Sequence, residues 1–184
     1  MKKLLMLAVF VASLGLTAAA ADSPIKLSLY DNIAWPTPNH TNVVLGIVDN
    51  HTPSVTGVSL AIGSSRVDDM TGLSFAYFYA RSNDLAGVQV GLYNVTNKAA
   101  GLAYGLVNHN KGVFTGVNLG FVNIAQDMTG LQWGFYNQAE KLTGVQLGFI
   151  NYTKRINKGL QIGLVNIIEQ NGWLPIMVIV NGKF

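Results

Sequence analysis

One phrase recurs eight times in this chain, and whatever structure that phrase takes dominates the fold. Aligned on their first glycine, the copies read GVSLAIGS, GLSFAYFY, GVQVGLYN, GLAYGLVN, GVNLGFVN, GLQWGFYN, GVQLGFIN and GLQIGLVN. They begin at Gly57, Gly72, Gly87, Gly101, Gly116, Gly130, Gly144 and Gly159, spaced 15, 15, 14, 15, 14, 14 and 15 residues apart. With the glycine as position 0, positions 1, 3 and 5 are apolar in every copy. Position 2 is Gln, Asn, Ser or Ala, position 4 is Gly or Ala, and Asn closes the last six copies at position 7. Alternation of this kind has the period of a β-strand, whereas a helix needs apolar residues at intervals of three and four. The paired glycines also weaken any helix.

No phrase contains a charged residue; the charge lies in connectors such as SRVDD, AQD, AEK and TKR. Polar stretches of this length between periodic segments read as short turns. The flanks differ from the repeat. Ile25, Leu27 and Leu29 alternate before the Pro36-Thr37-Pro38 break, and residues 43–48 read as a strand. Beyond Trp173-Leu174-Pro175, a closing segment places Ile176, Val178 and Val180 on one face.

Lys2 and Lys3, the apolar run from Leu4 to Leu16 and the small residues Thr17 to Ala21 read as a secretory signal peptide. The expected organisation is therefore 1–21 signal peptide, 22–56 lead-in with one or two strands, 57–172 repeat, and 173–184 closing strand. Without the signal, ten basic residues face nine acidic ones, which removes any electrostatic reason to expect nucleic acid. The absence of cysteine leaves strand pairing and apolar burial to hold an exported chain together. Charged residues make up 11% of the chain, against about 25% in ordinary soluble domains. Part of the surface is thus expected to meet something other than water.

Two all-β architectures bury such a face. The first is an antiparallel β-barrel of about ten short strands, its oily side in lipid and its Gly-Gln-Gly side on a polar lumen. The second is a parallel β-solenoid or roll, with the oily side inward and the amides in ladders. The connectors show no two-repeat super-period, as the two kinds of turn in an antiparallel meander would require. Three alternate residues also span only about 14 Å, against an apolar band of about 25 Å in outer-membrane barrels. Both points favour the solenoid. The barrel is favoured by Phe184, which ends an alternating apolar strand and resembles the C-terminal assembly signal of bacterial outer-membrane barrels. On that resemblance, the barrel is the leading expectation.

The Gly-Leu-Gln-Leu-Gly-Leu-x-Asn phrase resembles that of a group of exported bacterial surface-repeat proteins. The resemblance spans about residues 43–184 and includes Pro175, Asn181 and Phe184 in the closing pattern. Ser59 and Ser74 depart from it where Gln is usual, as do Ser64 and Tyr79 in place of Asn. Such a resemblance implies a location and no reaction.

The side chains point the same way. Of the histidines, His40, His51 and His109, no two stand at a metal-ligand spacing, and Asp68 and Asp69 read as a charged turn. The serines lack a nucleophile-elbow context, and no glycine run opens a helix as a phosphate loop does. Asn94-Val95-Thr96 and Asn151-Tyr152-Thr153 are read as chance matches to a glycosylation sequon. No catalytic residue, metal site or cofactor is expected.

The residues singled out are Gln89, Asn118, Gln132, Gln146 and Gln161, as lumen-lining or ladder groups. Asn94, Asn108, Asn123, Asn137, Asn151 and Asn166 are expected to terminate strands. The expected function is an outer-membrane β-barrel surface protein, structural or a small passive channel. The alternative is a secreted solenoid for binding or surface display, without enzymatic activity. The expected partners are the lipid bilayer and the outer-membrane assembly machinery, with no nucleic acid and no small-molecule ligand indicated. On the solenoid alternative, Leu147→Arg should prevent soluble folding and Gln146→Leu should be tolerated.

Overall fold

The computed structural model describes residues 22–30 and 33–184. The expected signal peptide at 1–21 lies outside them. Eight elements follow in chain order: β1 (Ser23–Tyr30), β2 (Ile33–Trp35), β3 (His40–Gly46), β4 (Asp49–Ala61), β5 (Ser64–Ala76), β6 (Tyr79–Val90), β7 (Tyr93–Gln170) and β8 (Ile176–Lys183). They form one sheet in the order β2-β1-β3-β4-β5-β6-β7-β8. Each pair from β1–β3 through β6–β7 is parallel, and only β1–β2 and β7–β8, at the two edges, are antiparallel.

This is a parallel β-solenoid, and it overturns the barrel. Gly57 pairs with Gly72, Gly72 with Gly87, and Gly87 with Gly101, so each phrase lies on the next in the same direction. A barrel of hairpins would reverse direction at every neighbour. The connectors are not short turns either. Within β7 the backbone is paired without a break through them, over 78 residues. They form the return side of a flattened coil, which is why one coil fits in 14–15 residues.

The first glycine of each phrase makes this stacking possible. All eight have φ between 124° and 147°, a region in which residues with a side chain are strained. A Cβ built on Gly130 would lie 2.0 Å from the Gly116 carbonyl oxygen one coil below. No larger residue fits there.

The solenoid alternative predicted the topology but inverted the face. Positions 1, 3 and 5 point outward, while position 2 points in: Gln89, Asn118, Gln132, Gln146 and Gln161 are all fully buried. The apolar core comes from the return side instead, with Val55, Met70, Leu85, Phe114, Met128, Leu142 and Ile156 stacked in one buried cluster. The reason is the thinness of the coil. Two sheets back to back leave a slot about one side chain deep, and amides stacked coil on coil can satisfy one another there.

Two neighbouring coils exchange volume. Where Ala103 takes the place of Gln, the same coil supplies Phe114, also fully buried; where Gln89 is present, the matching return position of its coil is Ala99. Close packing of a slot this narrow requires such exchanges.

Candidate functional site: an outward apolar face over buried amide ladders

Two amide columns run along the interior. In the first, Asn94 Nδ2 donates to Asn108 Oδ1 (2.8 Å), Asn108 to Asn123 (2.8 Å), Asn123 to Asn137 (2.9 Å), Asn137 to Asn151 (2.9 Å) and Asn151 to Asn166 (2.9 Å). Each of these Nδ2 groups also donates to the position-3 carbonyl of the following phrase, for example Asn137 to Leu147 O at 2.9 Å. These asparagines therefore bind coil to coil. They do not terminate strands, and none has a positive φ.

The ladder also accounts for the glycine at position 4. A Cβ on Gly148 would lie 2.5 Å from Asn137 Nδ2, and one on Gly163 would lie 2.6 Å from Asn151 Nδ2. The second column is shorter. Gln146 Nε2 donates to Gln132 Oε1 (2.6 Å), Gln161 Nε2 donates to Gln146 Oε1 (2.7 Å), and Thr153 Oγ1 donates to Gln146 Oε1 (2.9 Å). Asn118 is too short to continue it and places Nδ2 3.8 Å from Met128 Sδ. The five residues singled out in the sequence thus occupy one buried column with no water-filled lumen beside it.

The outward side of the phrases is the largest unusual feature of the surface. Positions 1, 3 and 5 make three apolar columns, eight rows long, without a charge. Phe121, Phe135 and Phe149 stack in register at position 5, with ring centroids 5.0 and 4.9 Å apart. Trp133 projects at position 3 and is 61% exposed; Tyr104, Leu106 and Phe121 are each more than half exposed. An open apolar trough of about 750 Å³ runs between the columns over Gly91, Gly105, Gly120 and Gly134. The eight phrases alone cover about 38 Å by about 17 Å, or roughly 650 Å² in projection, and exposed Leu45 and Leu27 continue the position-3 column onto β3 and β1. Patches on monomeric proteins seldom exceed about 300–600 Å², and larger ones mark interaction sites.

The charge lies on the return side, where it links neighbouring coils. Lys141 sits 3.3 Å from Asp127, the Tyr152 hydroxyl donates to Glu169 at 2.5 Å, and Arg155 donates to Gln170. The hydrogen bond to Glu169 raises the Tyr152 phenol above its ordinary value. Burial works to raise the Asp49 carboxyl, but the Arg66 and Ser64 hydrogen bonds and the Arg66 charge hold it below the usual carboxylate value.

The histidines are dispersed. His40 Nε2 lies 3.1 Å from Thr56 Oγ1, His51 is 3.6 Å from Asp68, and His109 is half-buried beside Tyr93. Burial, then the Lys111 charge, lowers His109 below its ordinary value. Among the described residues no three metal-ligating groups gather. Asn94 and Asn151, the sequon asparagines, are buried in the ladder, out of reach of any glycan. Phe184 is exposed and packs on Trp173, ring centroids 5.3 Å apart. Without a barrel, the assembly role expected of it loses its premise.

The outward apolar face was the feature the sequence reading assigned to lipid or to the core. Nothing in the alternation itself says which side of a thin coil is inside. No protein-family model, curated protein or solved structure matches this chain.

Proposed function

We propose that this chain is an exported binding or surface-display module, without a reaction of its own, that works through the outward apolar face of its solenoid. The observation that carries the reading is the projection of three uncharged apolar columns, with a stacked aromatic run, from a rigid parallel scaffold. A chain that buries its amides in internal ladders and turns its oily residues outward leaves apolar area to be covered by something else. Export is supported by the sequence of residues 1–21. The site of action is the cell envelope or cell surface.

The test is envelope retention in cells expressing the chain. The wild type should remain with the envelope, and Leu106→Lys combined with Phe121→Lys should release it with an unchanged far-UV circular dichroism spectrum. Equal retention of the two proteins would refute the reading.

A further inference from the structure

The pattern of residue sizes on the apolar face specifies what covers it. Number the eight phrases as rows 1 to 8, from Gly57 to Gly159. Two flat apolar β-faces pack about 10 Å apart. Two copies of one face meet by a two-fold axis lying either along the solenoid or along the strands. In the first case each row meets itself, and Trp133 would stack on the partner's Trp133. In the second case rows are reversed, so that row 1 meets row 8, and each position meets its own position.

We infer that a second copy of this chain covers the face in the row-reversed arrangement. At position 3, Trp133 then faces the partner's Val90, Phe75 the partner's Leu147, and Tyr104 the partner's Leu119. At position 5, Phe135 faces the partner's Leu92 and Phe121 the partner's Leu106, while Tyr77 meets the partner's Phe149 ring to ring. Position 1 runs Val, Leu, Val, Leu through all eight rows, so every Val there meets a Leu. Val90, Leu92, Trp133 and Phe135 all line the one apolar trough, so each residue of these pairs stands on the open face. Knob and recess stand equally far from the midline between Gly101 and Gly116, as a self-complementary contact requires.

The area is sufficient. Two such faces remove roughly 1,300 Å² before side-chain relief is counted, within the range of about 1,200–2,000 Å² for stable complexes. The phrases carry no basic residue for anionic headgroups, and the lysines and arginines outside them lie in the connectors and flanks. This assignment rests on the proposed binding role of the face.

The test is a size exchange read by sedimentation equilibrium of the purified protein. The wild type should have twice the chain mass. Val90→Trp sets Trp against Trp, and Trp133→Val sets Val against Val. Each should weaken self-association by at least about tenfold. The double variant restores the match, and with it the dimer. Circular dichroism confirms that all three fold. A double variant no stronger than the singles overturns the pairing. A monomeric wild type that co-sediments with phosphatidylcholine vesicles overturns the dimer but keeps the binding face. A monomer that ignores vesicles, with equal envelope retention of the lysine variant, overturns both.

Discussion

The amide of Asn137 joins two coils at once, accepting from Asn123 at 2.9 Å and donating to Asn151 at 2.9 Å. It is fully buried, and its neighbours have no water to turn to. Asn137→Val takes one acceptor from Asn123, which keeps Trp133 O, and strands the Asn151 Oδ1 acceptor, and a stranded group costs about 1–3 kcal/mol. Urea denaturation should show a loss well beyond that of the exposed control Glu140→Gln, which should stay within about 0.5 kcal/mol. Equal midpoints for the two variants would remove the ladder from the account of stability.

Adjacent residues of one phrase should behave in opposite ways. Gln146 is buried in its column, with partners above and below, whereas Leu147 points outward. Gln146→Leu should destabilise by about 1–3 kcal/mol, and Leu147→Arg should leave a soluble, folded protein. A solenoid with its oily side inward requires the reverse. Thermal melts of the two variants decide between them.

Phe114 fills the slot that Ala103 leaves open, and nothing else in that coil replaces its volume. Phe114→Ala should cost about 3–5 kcal/mol. Ala103→Gln, added to Phe114→Ala, should recover part of the loss by rebuilding the Gln89–Ala99 composition of the preceding coil. Denaturation of the single and double variants measures the coupling.

Acid should weaken the N-terminal coils first. Asp49 is held below its ordinary value of 3.8, chiefly by Arg66 against the opposing effect of burial. A carboxyl lowered in the folded state contributes stability that is complete above its unfolded value and is lost as pH falls through the folded one. Asp49→Asn should therefore lower the melting temperature at neutral pH and make no difference well below pH 3.8. A constant gap across the pH range would refute the linkage.

The sequence revealed the strand period, the number of phrases and the charge-free surface, because each follows from alternation and spacing alone. It also placed Gln89, Asn118, Gln132, Gln146 and Gln161 at one position of the phrase, and all five are buried. The sense of the face was hidden. Val145, Leu147 and Phe149 look like core by hydropathy, yet the interior is so narrow that Gln146, Asn151, Thr153 and Ile156 fill it. The connectors misled for a related reason. Lys154 and Arg155 read as a turn by polarity, but they lie on the outside of a return strand whose inward residue is Ile156. Phe184 carried more weight than a single residue can, since any exposed aromatic closing an edge strand resembles the same signal.

A stack of identical coils joined by parallel pairing has no intrinsic length, and unlimited addition of such units produces a fibril. Here the last rung of the sheet is different. β8 lies antiparallel on the final phrase, and Asn181, in the place of the next glutamine, gives its amide to Leu174 O at 2.7 Å. At the other edge β2 folds back on β1. Neither edge offers the parallel, amide-matched template on which the inner coils grow. Among the described residues the stack is bounded at both edges by a reversal of strand direction.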